Sequence, residues 1–172
     1  NKFLIVYGKD PTQSNYCTAQ VMTVVDNDTL TFGSLVTIKA NQCGHIAADF
    51  DTSAGKHLVL YRDNSVSNDC YGIVATISGT SVTFGTAVEL ETGDNEGAKI
   101  KYSTTDSKFL WLSLNASGGE VDVSVLTISG TSVSRGTNTT ITTNTAGMNS
   151  GTMAISYEPN LDVFYILYRN NY

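Results

Sequence analysis

Short hydrophobic runs recur along this chain with a period of roughly 51 to 55 residues. The clearest copies are Ile77–Thr86 and Ile128–Thr137, which read ISGTSVTFGT and ISGTSVSRGT. A more divergent copy lies at Val25–Ser34. A period of this length, carried by short strands, is typical of propellers and other repeat arrays. The sequence therefore predicts one repeat domain over residues 1–172.

The hydrophobic pattern within each period predicts β-strands and no helix. The first strand alternates apolar and polar residues, as in Ile46–Phe50, which is the pattern of a half-buried strand. The second strand is an almost continuous apolar run, as expected of a strand covered on both faces. Second strands are predicted at Lys2–Tyr7, Lys56–Tyr61, Lys108–Ser113 and Val163–Tyr168.

The third and fourth strands of each period flank a tight turn. Ser78-Gly79 and Ser129-Gly130 are hairpin dipeptides, and Asn27-Asp28 replaces them in the first copy. Third strands are predicted at Cys17–Val25, Cys70–Ile77 and Val121–Ile128. Fourth strands are predicted at Thr29–Ile38, Ser81–Leu90 and Ser132–Ile141.

Four antiparallel strands in a repeat of about 50 residues are the sequence form of a propeller blade. The predicted fold is therefore all-β, a partial β-propeller, and the alternative is a stacked β-sandwich or an open repeat array. The approximate units are 1–43, 44–96, 97–150 and 151–172, of which the first and last are partial. Propellers usually close with about four to eight blades. We therefore expect either that the chain is a piece of a longer polypeptide or that other chains complete it.

Composition narrows the classes of partner. Charged residues make up only 15% of the chain and the net charge is −6, which disfavours nucleic acid and anionic membrane surfaces. No apolar run reaches the ~18 residues of a membrane span. Abundant Ser, Thr, Asn and Gly with few Lys are typical of a secreted or particle-surface protein, so we expect an extracellular or virion-surface location.

The three cysteines do not define a disulfide framework. Cys17 and Cys70 occupy equivalent positions in adjacent copies, which are usually too far apart for a bond. Pairing of Cys43 with either of them stays open beside the simpler interpretation of free thiols. Candidate N-glycosylation sites are Asn27, Asn115 and Asn138.

Catalytic chemistry has little support in the sequence. His45 and His57 lack the spacing of a metal pair, and His57 replaces Phe3 and Phe109 of other copies, so we interpret it as a packed core residue. No catalytic, cofactor or metal site is predicted, and the chain is not expected to be an enzyme. A carbohydrate-active propeller enzyme with paired carboxylates remains an alternative.

Two further surface features are candidates for binding. The loops at 26–28, 63–65 and 92–96 carry oxygen ligands of the type that calcium uses, although none has full calcium-loop spacing. Tyr16 and Tyr71 lie near turns and are candidate surface-binding aromatics, with a glycan as the expected ligand.

The phrase ISGTSVTFGT, followed by a Val-rich strand and then a strand that ends in Tyr or Phe, resembles predicted propeller repeats in large proteins of aquatic phages and other aquatic viruses. Leu58–Asp63 is similar to a run, Val-x-x-Tyr-x-Asp, that precedes the third strand in those repeats. The third copy departs, since Ser113 replaces the Tyr and Arg135 the Phe. Similar repeats also occur in uncharacterised secreted microbial proteins. The resemblance implies a virion-surface protein, such as a fibre or spike that engages a host, and it supplies no catalytic residues.

Repeat architecture, acidic polar composition and this resemblance together give a functional hypothesis. The chain is expected to be a non-enzymatic structural and adhesive propeller segment of an extracellular assembly, a virion fibre or tail protein that contacts a host. Its expected partners are other chains of the assembly and a host-surface glycan. A subunit of a microbial extracellular filament is the alternative, beside the carbohydrate-active enzyme.

Overall fold

The structure is a computed structural model that describes residues 1–9, 15–26, 28–115, 119–143 and 152–169. It is all-β, and the described residues contain no α-helix. The strands are β1 (Lys2–Lys9), β2 (Tyr16–Val25), β3 (Thr29–Phe32), β4 (Val36–Asp51), β5 (Lys56–Asp63), β6 (Asp69–Ser78), β7 (Ser81–Phe84), β8 (Val88–Glu91), β9 (Asn95–Ser103), β10 (Lys108–Asn115), β11 (Glu120–Ser129), β12 (Ser132–Arg135), β13 (Thr139–Thr142), β14 (Met153–Glu158) and β15 (Val163–Tyr168).

Every strand pairing in the structure is antiparallel. The largest sheet is curled and has the order β1-β2-β4-β5-β6-β7, with β3 paired to β2 and β8 to β6. A second sheet has the order β12-β11-β10-β9, with β13 paired to β11, and β14 and β15 form a two-stranded sheet among the described residues. The predicted antiparallel all-β class is confirmed.

The predicted four-strand period is visible in the pairing. In the third unit β9, β10 and β11 follow one another, and β12 and β13 both pair with β11. In the second unit the end of β4 pairs with β5, β5 with β6, and β6 with both β7 and β8. The predicted fourth strand is thus correct in position but divided in two. The division is a bulge, because Ala75 opposes Phe84 whereas Gly72 opposes Val88, which leaves an extra residue on the outer strand.

One strand joins the first two units without a turn. Strand β4 pairs with β2 through Val36–Gln42 and with β5 through Cys43–Asp51. It therefore combines the end of a predicted fourth strand with the whole of the next first strand. The sequence did not predict this continuity. Nothing in the polar residues between the two halves of β4 indicates that the strand continues and that its pairing partner changes from β2 to β5.

The hydrophobic core is divided among the joints between successive units. Alternate residues of β5 and β10 point to opposite neighbours, so these two second strands are buried on both faces as predicted, whereas the second strands of the terminal units, β1 and β15, are partly exposed. Between the second and third units lies a cluster of Leu58, Leu60, Cys70, Val74, Leu90, Ile100, Tyr102, Phe109, Trp111, Leu126 and Val133. A comparable cluster joins the first two units, and Met153 and Ile166 pack on Leu112 and Leu114 at the third joint.

In the first two units a glycine that follows the first half of the fourth strand meets the hairpin turn of the next unit. A Cβ built at Gly33 would overlap the carbonyl oxygen of Thr80, and a Cβ built at Gly85 would overlap that of Thr131 in the same way. Thr80 and Thr131 are equivalent residues of the ISGT turn. We call this contact the glycine–turn joint. It explains why the repeated phrase contains both a turn and a glycine six residues after the turn glycine.

Candidate functional site

An aromatic ring pair recurs at the same end of every unit that has a first strand. Phe50 faces His57 with ring centroids 4.7 Å apart, and the residues are direct cross-strand partners. The equivalent pairs are Tyr102 with Phe109 at 5.0 Å and Tyr157 with Phe164 at 4.9 Å. These distances are typical of aromatic pairs that stabilise sheets.

An open cleft lies beside the ring pair of the second unit. It has a volume of about 530 Å³ and is bounded on the other side by the start of β1. The lining residues are Lys2, Phe3, Leu4, Ala48, Asp49, Phe50, Gly55, His57 and Ile77. Phe50 is 39% exposed there, so its ring offers an apolar face to a ligand.

A smaller cleft recurs at the equivalent place between the third and fourth units. It has a volume of about 260 Å³, and Leu110 and Phe164 line it where Leu4 and His57 line the first. At the intervening joint the matching residues are Leu58 and Phe109, and both are buried. Equivalent positions of the repeat therefore line a cleft at the first and third joints, whereas at the joint between the second and third units the same positions are buried by packing.

The polar side chains that line the larger cleft are Lys2, Asp49 and His57. Burial lowers the pKa of His57, while the nearby negative charge of Asp49 opposes that shift, so the imidazole is neutral at physiological pH. The Asp49 carboxylate accepts a hydrogen bond from the Tyr102 backbone N–H at 2.7 Å and pairs with Lys101 at 3.3 Å. Asp49 is thus fixed by the next unit, and the cleft combines aromatic faces with a neutral imidazole. Such a lining suits binding by stacking and hydrogen bonds.

The joint between the second and third units contains a polar cluster that the sequence did not predict. Arg135 donates to the Leu90 carbonyl at 2.7 Å and to Ser124 Oγ at 2.9 Å, and it pairs with Glu91 at 3.5 Å. Its guanidinium lies 4.8 Å from the centroid of the Trp111 ring. In the sequence, Arg135 stands out only as the residue that replaces the repeated Phe. Glu91, at the end of the fourth strand of the preceding unit, is the sequence feature that could have predicted an ion-pair partner for Arg135.

Three buried polar atoms lie near this cluster on one face of the third unit. Trp111 Nε1, Ser113 Oγ and Asp122 Oδ1 have no hydrogen-bond partner within the described chain, and Ser113 and Asp122 are cross-strand partners. In the second unit the equivalent pair is Tyr61 and Tyr71, whose rings stack at 5.8 Å. The change from two tyrosines to Ser and Asp therefore makes this joint more polar than its counterpart.

The first strands of three units lie together and line a further cleft of about 300 Å³. Its lining comes from β4, β9 and β14, namely Ile46, Ala47, Ala48, Lys99, Ile100, Met153, Ala154 and Ile155. Lys99 is the one charged residue in this lining among the residues that the structure describes. The paired carboxylates required by the enzymatic alternative are not part of it.

The two predicted binding tyrosines are not brought together. Both are half-buried, and β4 and β5 lie between their strands β2 and β6 in the sheet. One face of the Tyr71 ring is covered by Tyr61, and its hydroxyl donates to Glu89 at 3.3 Å. The aromatic residues that do share the larger cleft are Phe3, Phe50 and His57, and the sequence predicted His57 to be a packed core residue.

The candidate glycosylation sites differ in their surroundings. Asn138 is exposed, and its Oδ1 accepts a hydrogen bond from Ser124 at 2.9 Å. Asn115 is half-buried at the end of β10. Asn27 lies outside the described residues.

The three cysteines are free and buried. Cys17 and Cys43 are neighbours: a hydrogen bond between the thiols and burial raise the pKa of Cys17, and the same hydrogen bond lowers that of Cys43. Cys70 lies apart in the next joint, where burial raises its pKa.

Two of the three oxygen-rich loops use their carboxylates within the protein, and Asn27 of the 26–28 loop lies outside the described residues. Asp63 in the 63–65 loop accepts a hydrogen bond from the Ser65 backbone N–H at 3.0 Å and pairs with Lys39 at 2.7 Å. Asp94 in the 92–96 loop accepts from Asn68 at 3.1 Å. Across the described ranges, no three His, Cys, Asp or Glu side chains are grouped so as to hold a metal ion. Nor does that part of the chain contain a helix of the length and hydrophobicity needed to cross a membrane.

Comparison with protein-family models, curated proteins and solved structures gives no match for this chain.

Proposed function

We propose that the chain is a run of β-propeller blades that serves as a rigid, adhesive segment of an extracellular assembly, such as a virion fibre or tail surface protein. The glycine–turn joint is the observation that carries the proposal. It fixes the second unit to the first through Gly33 and Thr80, and the third unit to the second through the equivalent residues Gly85 and Thr131. A joint that recurs in this way supports a role in which the spacing and orientation of successive units matter.

The arrangement of first strands supports blades rather than a sandwich. In a propeller the units pack face to face around a central channel. Here the cores lie between successive units, and first strands from three units line one cleft. A stacked sandwich gives no reason for the same strand of each unit to converge.

The clefts at the ring-pair end support adhesion. Their walls combine exposed aromatic faces with a few polar groups, which is the composition of small-ligand sites on rigid scaffolds. The acidic chain disfavours polyanionic partners, so the ligand class that fits is a neutral or weakly charged surface glycan. Phe50 would stack on the sugar and His57 would hydrogen-bond to its hydroxyl groups.

Binding is tested by titrating the chain on an array of surface glycans. Phe50→Ala and His57→Ala should each weaken binding at least tenfold, because each removes a cleft-lining side chain. Val66→Ala is the matched control, since Val66 is 42% exposed in the turn between β5 and β6, at the opposite end of β5 from His57. Equal binding by all variants, or no glycan bound, would overturn the adhesive role.

The location is tested separately by mass spectrometry of virus particles purified from the source that expresses the chain. Peptides of this segment should band with intact particles in a density gradient. Their confinement to cells, or to filaments free of particles, would exclude the virion assignment and favour the filament alternative.

A further inference from the structure

The first and last units each expose an apolar face whose equivalents are buried elsewhere in the chain. The N-terminal face consists of Phe3, Met22, Leu30 and Phe32, which lie on the side of β1–β3 away from the second unit. The C-terminal face consists of Ala154, Tyr165 and Leu167, on the side of β14–β15 away from the third unit.

Exposure at these faces is large for apolar side chains. Phe32 is 54% exposed and Leu30 is 51% exposed, whereas Val82 and Val133, the equivalents of Leu30, are 5% and 4% exposed. Leu167 is 66% exposed, whereas Leu60 and Leu112, its equivalents, are both 0% exposed. The same sequence position is thus solvated in a terminal unit and buried in an internal one.

The internal joints show what covers such faces. Leu58 and Leu60 of the second unit pack in one cluster with Phe109, Leu126 and Val133 of the third. The first pair is equivalent to Tyr165 and Leu167 of the C-terminal face. The second set is equivalent to Phe3, Met22 and Leu30 of the N-terminal face. The two exposed faces therefore carry residues equivalent to the two sides of a joint that the chain already makes internally, with the C-terminal side supplied by β14 and β15 in place of β5.

We propose that the C-terminal face of one copy of this chain binds the N-terminal face of a second copy, head to tail, through a joint of the same kind as that between the second and third units. The joint is heterologous, so its repetition produces a closed ring or an open row of chains. It rests on the repeat-scaffold part of the proposed function and not on the adhesive part. Failure to bind glycans or particles would leave it unaffected.

The test uses analytical ultracentrifugation of the 172-residue chain and of variants blocked on one face. The native chain should shift with concentration from 18.4 kDa to at least twice that mass. Phe32→Glu blocks the N-terminal face and Leu167→Glu blocks the C-terminal face, so each variant alone should remain a monomer. A mixture of the two should form a dimer and nothing larger, because only one complementary pair of faces remains.

Val66→Glu is the matched control, because Val66 is an exposed turn residue that belongs to neither face, and it should associate as the native chain does. Leu30→Glu and Tyr165→Glu serve as second variants of each face if thermal unfolding shows that a first variant does not fold. A native chain that stays monomeric overturns the proposal. So does a single-face variant that still dimerises, which would show pairing of like faces, or a mixture that remains monomeric.

Discussion

A methyl group added at Gly85 should open the joint between the second and third units. The Cβ of Gly85→Ala would overlap the Thr131 carbonyl oxygen and lie 3.0 Å from its carbonyl carbon. Both atoms are backbone, so no side chain can rotate away, and the units must separate by about 1 Å. A gap of about 0.5–1 Å already forfeits a quarter to a half of the dispersion attraction across it. We expect a loss of about 3 kcal/mol, at the upper end of the range for overpacking.

Gly136→Ala is the matched control for this prediction. Gly136 is the equivalent glycine of the next copy, and a Cβ there would have Val125 O as its nearest atom, at 3.5 Å, which is an ordinary contact. Reduced freedom of the unfolded chain should then stabilise this variant by about 0.4–1 kcal/mol.

Urea unfolding of both variants measures the difference, which should be about 3–4 kcal/mol and roughly 10 °C in melting temperature. Gly33→Ala should behave as Gly85→Ala does, because its Cβ would overlap Thr80 in the same way. Equal stabilities of Gly85→Ala and Gly136→Ala would refute the glycine–turn joint as a source of stability.

Three further predictions follow from the joints and the cleft. Arg135→Ala should lower the free energy of unfolding in urea by about 3 kcal/mol, because the Glu91 side chain, only 13% exposed, would lose its cationic partner. A loss below about 1 kcal/mol would contradict a structural role for the ion pair. Tyr102→Phe should cost about 1 kcal/mol, since it removes the hydroxyl that donates to Ser53 at 3.0 Å, whereas Tyr7→Phe, outside the joint, should be nearly neutral. The unfolded state takes up the His57 proton near pH 6.5 and the folded state only at lower pH, so the native chain should lose stability as pH falls below about 6.5. Unfolding midpoints measured at about pH 7.5 and about pH 5.5 should therefore differ less for His57→Phe than for the native chain. An unchanged difference would show that His57 does not cause the loss of stability at low pH.

The local pattern of hydrophobic residues was enough to place most strands. Predicted second strands such as Lys56–Tyr61 and third strands such as Cys70–Ile77 lie within β5 and β6, because burial on both faces leaves a strong apolar signal. The division of the fourth strand at Gly85 could not be predicted in this way. It depends on the turn of another unit, which lies about one period further along the chain.

The candidate site was much less predictable than the fold. A cleft between units is formed by residues that are distant in sequence, such as Leu4 and His57, and each of them alone resembles core. The Arg135–Glu91 pair likewise spans two units. Equivalent positions of the repeat are visible in the sequence, whereas the contacts that build these sites join positions that are not equivalent.

The glycine–turn joint also has a consequence for how such a chain can evolve. Each copy of the repeat carries both a turn that contacts the glycine of the preceding copy and a glycine that contacts the turn of the following copy. Thr80 and Gly85 are these two residues within one ten-residue phrase. Tandem duplication or loss of one whole copy therefore preserves both halves of every remaining joint. Array length can change in a single genetic step, while substitutions such as Arg135 and Asp122 can diversify one joint without altering the others.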